Sequence, residues 1–161
     1  IKAGHCRIGM INVLENKDYT ADRYAGYECA IEDAGIPMDP TLVIQAENSV
    51  EGGCSAAKKL LATTRCTAIF CATDTMAIGV CKAAAEMGLR VPEDFSLAGF
   101  DGLGHHLLCT PHVTTVRQPV YEIGERLAKT LLDRLDGSQK RICELVVPEV
   151  VEGQSVETVP R

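Results

Sequence analysis

The chain has 161 residues, a formal net charge of −6 and no tryptophan. It can bury one substantial core, and it contains no apolar run long enough to cross a membrane as a helix. Proteins that grip DNA through its phosphates normally carry a basic patch. None is visible in this acidic sequence, so we expect that the chain by itself does not bind nucleic acid.

The eight cysteines are irregularly spaced and include no CxxC pair. Several replace small apolar residues, as Cys71 does in a predicted strand and as Cys54 and Cys81 do in predicted helices. Free thiols in core positions are typical of a reducing compartment. The sequence therefore predicts a cytoplasmic protein rather than a disulfide framework. Aromatic residues are few, three Phe and four Tyr, so we expect any ring that stacks on a ligand to come from elsewhere.

The predicted elements of the first third alternate between strand and helix. Residues 7–13 (RIGMINV) are a predicted strand, and Thr20 or Asp22 is suited to cap the helix that follows. Residues 41–46 (TLVIQA) form the second predicted strand. Ser49 is the predicted cap of the next helix.

Residues 67–102 combine a strand, a sharp turn, a helix and a second strand. The strand TAIFCA is broken by Thr73 and Asp74, whose side chains can accept hydrogen bonds from a helix start, and we interpret Asp74 as the cap. Gly88 ends the helix, and the strand FSLAGF leads to Asp101. Polar residues thus follow two successive strands, which is where open α/β sheets bind ligands.

The last third has a different character. Residues 103–113 (LGHHLLCTPHV) predict a single helical turn, residues 113–118 (VTTVRQ) a strand, and residues 119–136 a helix with an apolar face. The segments ICELVV, EVV and SVETVP, between residues 142 and 160, are predicted terminal strands. The alternation along the whole chain predicts an α/β fold with a mostly parallel sheet and helices on both faces.

Several motifs in this order resemble the lactose/galactose-repressor (LacI/GalR) family of bacterial transcription regulators. The resemblance covers nearly the whole chain, and the order of the motifs makes it far more specific than any single one. The similar segments are GHCRI (4–8), DRYAGY (22–27), TDTMA (73–77), GLRVPEDFS (88–96), GFD (99–101) and TTVRQP (114–119).

The resemblance implies a lobe of the type I periplasmic-binding-protein fold, in which a small effector, most often a sugar, binds between two lobes and alters operator affinity. Residues 1–112 and 139–161 would form the C-terminal lobe, and residues 113–138 would be an excursion into the N-terminal lobe. The rest of that lobe and the DNA-binding head would be absent from this sequence. The implied partners are a carbohydrate effector, a second copy of the chain, and operator DNA through the absent head.

Five residues are expected to contact the effector. The planar guanidinium of Arg23 suits adjacent hydroxyls or a carboxylate, and Asp101 can accept from two hydroxyls at once; the resemblance implies that both are ligands. Thr73 and Asn48 stand where the family usually has an asparagine and an aromatic ring, and Gln118 lies at the second crossing between lobes. The alternatives are a surface ion pair for Arg23, a turn cap for Asp101 and a backbone hydrogen bond for Gln118.

The resemblance also implies a self-matching, two-fold dimer contact. The predicted residues of this contact are Ile78, Cys81, Lys82, Leu103, Leu107 and Leu108.

A metal site is the alternative for the histidine-rich segment. His105, His106, Cys109 and His112 are soft ligands close in sequence, but their spacing matches no zinc motif, and the resemblance places them at the dimer contact. We therefore predict no metal and no cofactor.

Two rival classes share some of these features. An extracytoplasmic sugar-binding protein of a transport system has the same fold, although apparently unpaired cysteines argue against export. An enzyme is disfavoured because no nucleophile lies next to a predictable base and no Gly-rich phosphate loop follows the first strand. The sequence therefore predicts the effector-sensing part of a regulator.

Overall fold

The computed structural model describes residues 1–14, 18–138 and 143–159. These ranges contain six strands, four α-helices and two short 3₁₀ turns. The strands are β1 (Ile8–Val13), β2 (Val43–Ala46), β3 (Ala68–Cys71), β4 (Ser96–Asp101), β5 (Thr114–Arg117) and β6 (Glu149–Val151). The helices are α1 (Asp18–Asp33), α2 (Val50–Thr63), α3 (Asp74–Met87) and α4 (Val120–Leu135), and the 3₁₀ turns are Pro40–Leu42 and His105–Leu108.

All six strands form one sheet in the order β2-β1-β3-β4-β5-β6. Neighbours from β2 to β5 pair in parallel, whereas β6 pairs antiparallel with β5 at the edge. Parallel neighbours require crossover connections. Helices α1, α2 and α3 lie in the connections up to β4, and the 3₁₀ turn His105–Leu108 lies between β4 and β5. The predicted mostly parallel α/β sheet is confirmed.

Helices cover both faces of this sheet. On one face α1 packs Tyr27 and Ile31 against Met10 of β1. On the other face α2 and α3 bury residues such as Leu60 and Met76 against a larger core. The strand β1 reads IGMINV without polar alternation, since a central parallel strand is buried on both faces.

Backbone-to-backbone contact joins α2 and α3. A Cβ atom on Gly53 would lie 2.3 Å from the Met76 carbonyl oxygen, and one on Gly79 would lie 2.2 Å from the Val50 carbonyl oxygen. Only glycine fits at these two positions without displacing main chain. The two helices are therefore held closer than side chains would allow.

The predicted start of α2 and the predicted end of α3 are correct. The Ser49 hydroxyl accepts from the Gly52 N–H at 3.0 Å and caps α2. Gly88 ends α3 in the left-handed conformation at φ 70°. Because each cap satisfies backbone groups that the helix leaves free, these ends are fixed by local chemistry.

Other predicted boundaries were wrong. Helix α1 begins at Asp18, before both predicted caps, and Thr20 is buried inside its first turn, where its carbonyl accepts from the Asn12 amide at 3.1 Å. The second strand begins at Val43 rather than at residue 41. Pro40 starts a 3₁₀ turn there, since Asp39 caps it by accepting from the Thr41 N–H at 3.0 Å.

The predicted strand ICELVV is also wrong within its described part. Residues 143–148 form no strand, and Leu145 is 97% exposed. Pro148 follows directly and has no N–H to donate to a ladder. The described residues of SVETVP, 155–159, are likewise outside any strand, and residues 142 and 160 lie outside the described ranges.

The two ends of the described chain meet at the amino-terminal edge of the sheet. The Val159 N–H donates to the Ala3 carbonyl at 2.8 Å. The buried ring of His5 lies with Nε2 2.9 Å from Ser96 Oγ and 3.0 Å from the Glu157 carbonyl oxygen. These bonds tie the terminal segment to the sheet.

Helix α4 stands apart from this core. None of its residues is buried, and Leu127, Leu131 and Leu135 are 61% to 74% exposed. The preceding strand β5 pairs with β4, so the predicted excursion of residues 113–138 leaves this sheet only after Arg117. The assignment of α4 to a second lobe stays a prediction.

No helix in the described ranges is long and apolar enough to span a bilayer.

Candidate functional site

Polar side chains gather at the carboxyl edge of the parallel strands, as the sequence predicts. Asn48, Thr73, Asp101 and Gln118 come from the ends of β2, β3, β4 and β5, and Arg23 reaches the same edge from α1. Hydrogen bonds join them into two groups. The edge therefore presents several polar groups where open α/β sheets bind ligands.

The first group centres on the carboxylate of Asp101. Its Oδ1 accepts from Arg23 Nη2 at 3.0 Å and from Gln118 Nε2 at 2.9 Å. The Gln118 backbone N–H also donates to the Asp101 carbonyl at 3.1 Å. Both of these side-chain bonds use Oδ1, so neither occupies Oδ2, which can accept from a further donor.

Arg23 is held from several sides. Its Nη1 donates to the Ala72 carbonyl, and its guanidinium carbon lies 4.0 Å from the centre of the Phe100 ring and 4.9 Å from that of Tyr19. Its side chain is only 12% exposed. The alternative of a loose surface ion pair therefore does not describe Arg23, whose fork and face are both fixed.

The backbone at Asp101 is unusual. Its φ of 124° makes it the one non-glycine residue with positive φ in the described chain, and Gly102 follows at φ 68°. Such strained conformations cluster at binding sites.

Burial raises the pKa of Asp101 above its ordinary value. The Arg23 charge and the bonds from Arg23 and Gln118 oppose that rise, whereas nearby Asp74 adds to it.

The second group joins Thr73 to Asn48. The Thr73 hydroxyl donates to Asn48 Oδ1 at 2.7 Å and accepts from the Met76 N–H at 3.3 Å. Thr73 is thus the N-cap of α3 as well as a residue of this edge. Its single hydroxyl is already used twice, and the exposed Asn48 amide offers the free donors of this group.

The interpretation of Asp74 as the cap of α3 was wrong. Asp74 is the first residue of the helix and is fully buried. Its Oδ1 accepts from the Thr115 hydroxyl at 2.6 Å, and its Oδ2 accepts from the Gly102 N–H at 2.9 Å. The carboxylate accepts from donors on β5 and on the turn after β4, and the Thr73 hydroxyl caps the helix in its place.

Aromatic rings surround the Arg23 end of the edge, contrary to the expectation from composition. A cavity of about 580 Å³ opens beside Arg23 and Gln118. Its lining includes four of the seven aromatic residues of the chain, namely Tyr19, Tyr27, Phe70 and Phe100. Phe100 directly precedes Asp101 in sequence, which is the signal that could have revealed this wall.

The residues of the predicted dimer contact lie on one surface. The 3₁₀ turn His105–Leu108 packs against α3, and Leu103, Leu107 and Leu108 are 52% to 73% exposed. On α3, Ile78 and Cys81 are partly buried against the core and Lys82 is exposed.

The histidine-rich segment assembles no metal-binding group among the described residues. No three His, Cys, Asp or Glu side chains in this part of the chain lie close enough together to hold an ion. Cys109 is buried, whereas His105 and His112 are exposed, and the side chain of His106 is outside the described part.

A parallel α/β sheet that gathers polar side chains at its strand ends defines a ligand-binding lobe of the periplasmic-binding-protein class. The family model for the periplasmic binding protein-like domain matches residues 1–156, and the chain belongs to this family.

Similar proteins narrow the class further. The repressor PurR of Escherichia fergusonii is 38% identical over 162 residues, which are 99% of this chain and 48% of PurR. The repressor CytR of Escherichia coli K12 is 38% identical over 151 residues, 89% of this chain and 44% of CytR. A LacI-family regulator of Enterococcus faecium with bound ribose matches with a TM-score of 0.90 and 28% identity, covering 99% of this chain and 60% of that one.

The resemblance to LacI/GalR regulators is confirmed by these matches. Both of these relatives are named as transcriptional repressors. The chain spans about half the length of the curated relatives that it matches.

Proposed function

We propose that the chain is the effector-sensing part of a cytoplasmic bacterial transcription regulator and that it binds a small, polar, carbohydrate-like effector. The observation that carries the proposal is the Asp101 carboxylate held by Arg23 and Gln118 at the strand ends. A carboxylate accepts from hydroxyls, and the flanking rings of Phe100 and Tyr19 suit the apolar face of a sugar. The relative with bound ribose supports the same class of effector.

The mechanism requires a second lobe that closes over the effector. Arg23, Asp101 and Gln118 form one wall, and residues of the proposed N-terminal lobe supply the other. An effector shifts the balance between open and closed lobes only by its difference in affinity for the two states. The operator is bound through a DNA-binding head outside this sequence, so the effector acts on DNA through lobe closure.

The test uses the longer regulator that contains this chain, because half of the cleft lies outside it. D-ribose and other neutral sugars are screened by thermal shift, and binders are measured by calorimetry. Arg23→Ala and Asp101→Asn are each expected to weaken binding by at least about tenfold, since each removes a charge-assisted contact.

The matched control is the Arg7–Asp39 ion pair, which lies at 3.4 Å on an exposed surface. Arg7→Ala and Asp39→Asn are expected to leave sugar affinity within about twofold, because surface pairs contribute little. Equal losses in the site and control variants, or tight sugar binding that survives Asp101→Asn, would contradict the proposal. The isolated 161-residue chain is expected to bind the same sugar weakly or not at all.

We further propose a two-fold dimer through the surface formed by Leu103, Leu107, Leu108 and the exposed side of α3 near Ile78, Cys81 and Lys82. Its exposed leucines support this role, since apolar side chains on a surface mark contact sites. Leu107→Lys with Leu108→Lys is expected to abolish the dimer of the longer regulator in sedimentation velocity. Leu145→Lys, at a 97% exposed leucine elsewhere, should leave it intact.

The rival proposal is an extracytoplasmic binding protein of a transport system. The repressor names of the relatives favour the regulator. The coding sequence upstream of residue 1 separates the two, since a helix-turn-helix indicates a regulator and a signal peptide indicates transport.

A further inference from the structure

A buried carboxylate lies beneath the proposed effector site without being part of its exposed edge. Asp74 is 0% exposed at the start of α3. It accepts from the Thr115 hydroxyl of β5 at 2.6 Å and from the Gly102 N–H after β4 at 2.9 Å. One side chain therefore joins three elements of the fold behind the ligand edge.

The space for this carboxylate is created by a glycine on the neighbouring strand. A Cβ atom on Gly99 would lie 2.3 Å from Asp74 Oδ1, well inside contact distance. Any larger residue at position 99 would push the carboxylate away from Thr115 and Gly102. The position of the Asp74 side chain is thus determined both by donors and by shape.

The backbone that Asp74 holds is the strained turn that presents Asp101. Asp101 and Gly102 have φ values of 124° and 68°, and a Cβ on Gly102 would lie 2.4 Å from the Arg117 Cα. A strained backbone persists only when its surroundings fix it. Two bonds do so here: Asp74 accepts from the Gly102 N–H, and the Gln118 N–H donates to the Asp101 carbonyl at 3.1 Å.

We propose that Asp74 is a positioning residue for effector binding, which holds the Asp101–Gly102 turn so that the Asp101 carboxylate faces Arg23, Gln118 and the ligand. Asp74 itself does not touch the effector, since it is fully buried. The inference rests on the proposed function for its consequence, but the positioning can be measured without any ligand.

The experiment is NMR of the 161-residue chain without effector, comparing the parent with Asp74→Asn. In Asp74→Asn the charge is lost and one side-chain oxygen remains for two donors, so hydrogen exchange of the Gly102 amide should speed by at least about tenfold. The side-chain carboxyl carbon of Asp101 should titrate at lower pH, because the Asp74 charge helps to raise the pKa of Asp101. A general loosening would also lower that pKa by exposing Asp101, so circular dichroism and the amide spectrum of α3 are first used to show that the helix is intact.

Two further variants keep the test decisive. Gly99→Ala displaces the Asp74 carboxylate but keeps its charge, so it should also speed exchange at Gly102, and it carries the test if Asp74→Asn does not fold. Thr115→Val removes the other donor but keeps the acceptor of the Gly102 N–H, so it should speed Gly102 exchange less than Asp74→Asn does.

Thr64→Val is the control for a buried hydroxyl elsewhere, because Thr64 donates to the Leu60 carbonyl at 2.7 Å, away from the site. It should change neither Gly102 exchange nor the Asp101 titration. The proposal is overturned if Gly102 exchange and the Asp101 titration stay unchanged in Asp74→Asn and exchange stays unchanged in Gly99→Ala. Because no sugar is present, that result would leave the proposed function standing, and a failed sugar screen would leave this inference standing.

Discussion

Helices α3 and α4 have similar lengths but opposite situations. In α3, Met76 and Val80 are completely buried, and both ends carry caps. In α4 no residue is buried, although leucines line one face, and its N-terminal Pro119 provides no side-chain cap. An apolar stripe thus predicts a helix that packs one face against another element, but the position of that element depends on the rest of the protein.

The largest expected difference is in the response to truncation of an apolar side chain. Met76→Ala should lower the free energy of unfolding of the chain by about 2–5 kcal/mol, since it leaves a cavity in a dense core. Leu131→Ala, at a residue 61% exposed, should lower it by about 0.5 kcal/mol or less. Urea denaturation followed by circular dichroism measures both, at a protein concentration low enough for the chain to be monomeric. Similar losses for the two variants would show that α4 is packed in solution.

The second prediction concerns self-association. Burial of a leucine side chain stabilises by about 1.5–3 kcal/mol, so the exposed leucines of α4 should draw copies of the isolated chain together. Leu127→Lys with Leu131→Lys should weaken this association by at least about tenfold in analytical ultracentrifugation. Glu125→Gln with Asp133→Asn makes the same charge change elsewhere on the helix and should preserve it. A parent chain that stays monomeric at every concentration would contradict the prediction.

The third prediction removes the N-terminal cap of α3 and adds one to α4. Thr73→Ala removes the hydroxyl that accepts from the Met76 N–H and should lower the free energy of unfolding by about 1 kcal/mol. Pro119→Ser offers α4 a side-chain acceptor that it lacks, so hydrogen exchange in the first turn of α4 should slow. Denaturation and exchange are measured on both variants. If Pro119→Ser lowers the free energy of unfolding, the proline ring stabilises the start of α4 more than a side-chain cap does.

The smallest expected effect depends on pH and separates the terminal segment from α4. Burial lowers the pKa of His5, with the positive N-terminus also lowering it and the Glu157 carbonyl opposing. The folded chain therefore favours neutral His5. The stability that neutral His5 contributes is fully present above the ordinary pKa of 6.5. It is lost as the pH falls from 6.5 through the lower pKa of His5 in the folded chain.

Hydrogen exchange measured across this window should therefore quicken at residues 155–159 as the pH falls, beyond the intrinsic pH dependence of exchange, but not in α4. His5→Gln should remove the excess, whereas His105→Gln, at an exposed histidine, should retain it. The explanation fails if the excess persists without His5.

The sequence was sufficient where local chemistry decides the structure. Ser49 and Gly88 were assigned correctly because a cap needs only its neighbours. The placement of Thr73 and Asp101 at one edge followed from the rule that parallel strands end there, whereas Arg23 was assigned to the site from the resemblance. Asp74 was misassigned because its partners, Thr115 and Gly102, lie 41 and 28 residues away and compete with its own helix.

Distant pairing also explains the remaining differences. The rings of Tyr19 and Phe100 flank Arg23 from separate elements, and composition alone gave no hint that scarce aromatics would cluster. The segment of residues 143–148 is apolar enough for a strand but has no neighbour to pair with in the described chain.

The glycine contact between α2 and α3 has a mechanical consequence. At Gly53 and Gly79 the main chains of the two helices are in direct contact, with no side chain between them. Sliding of one helix along the other would therefore make main-chain atoms collide. The two helices should therefore move as one rigid body. Asn48 and Thr73 lie at their amino-terminal ends, so a ligand that displaced these two residues would shift both helices together.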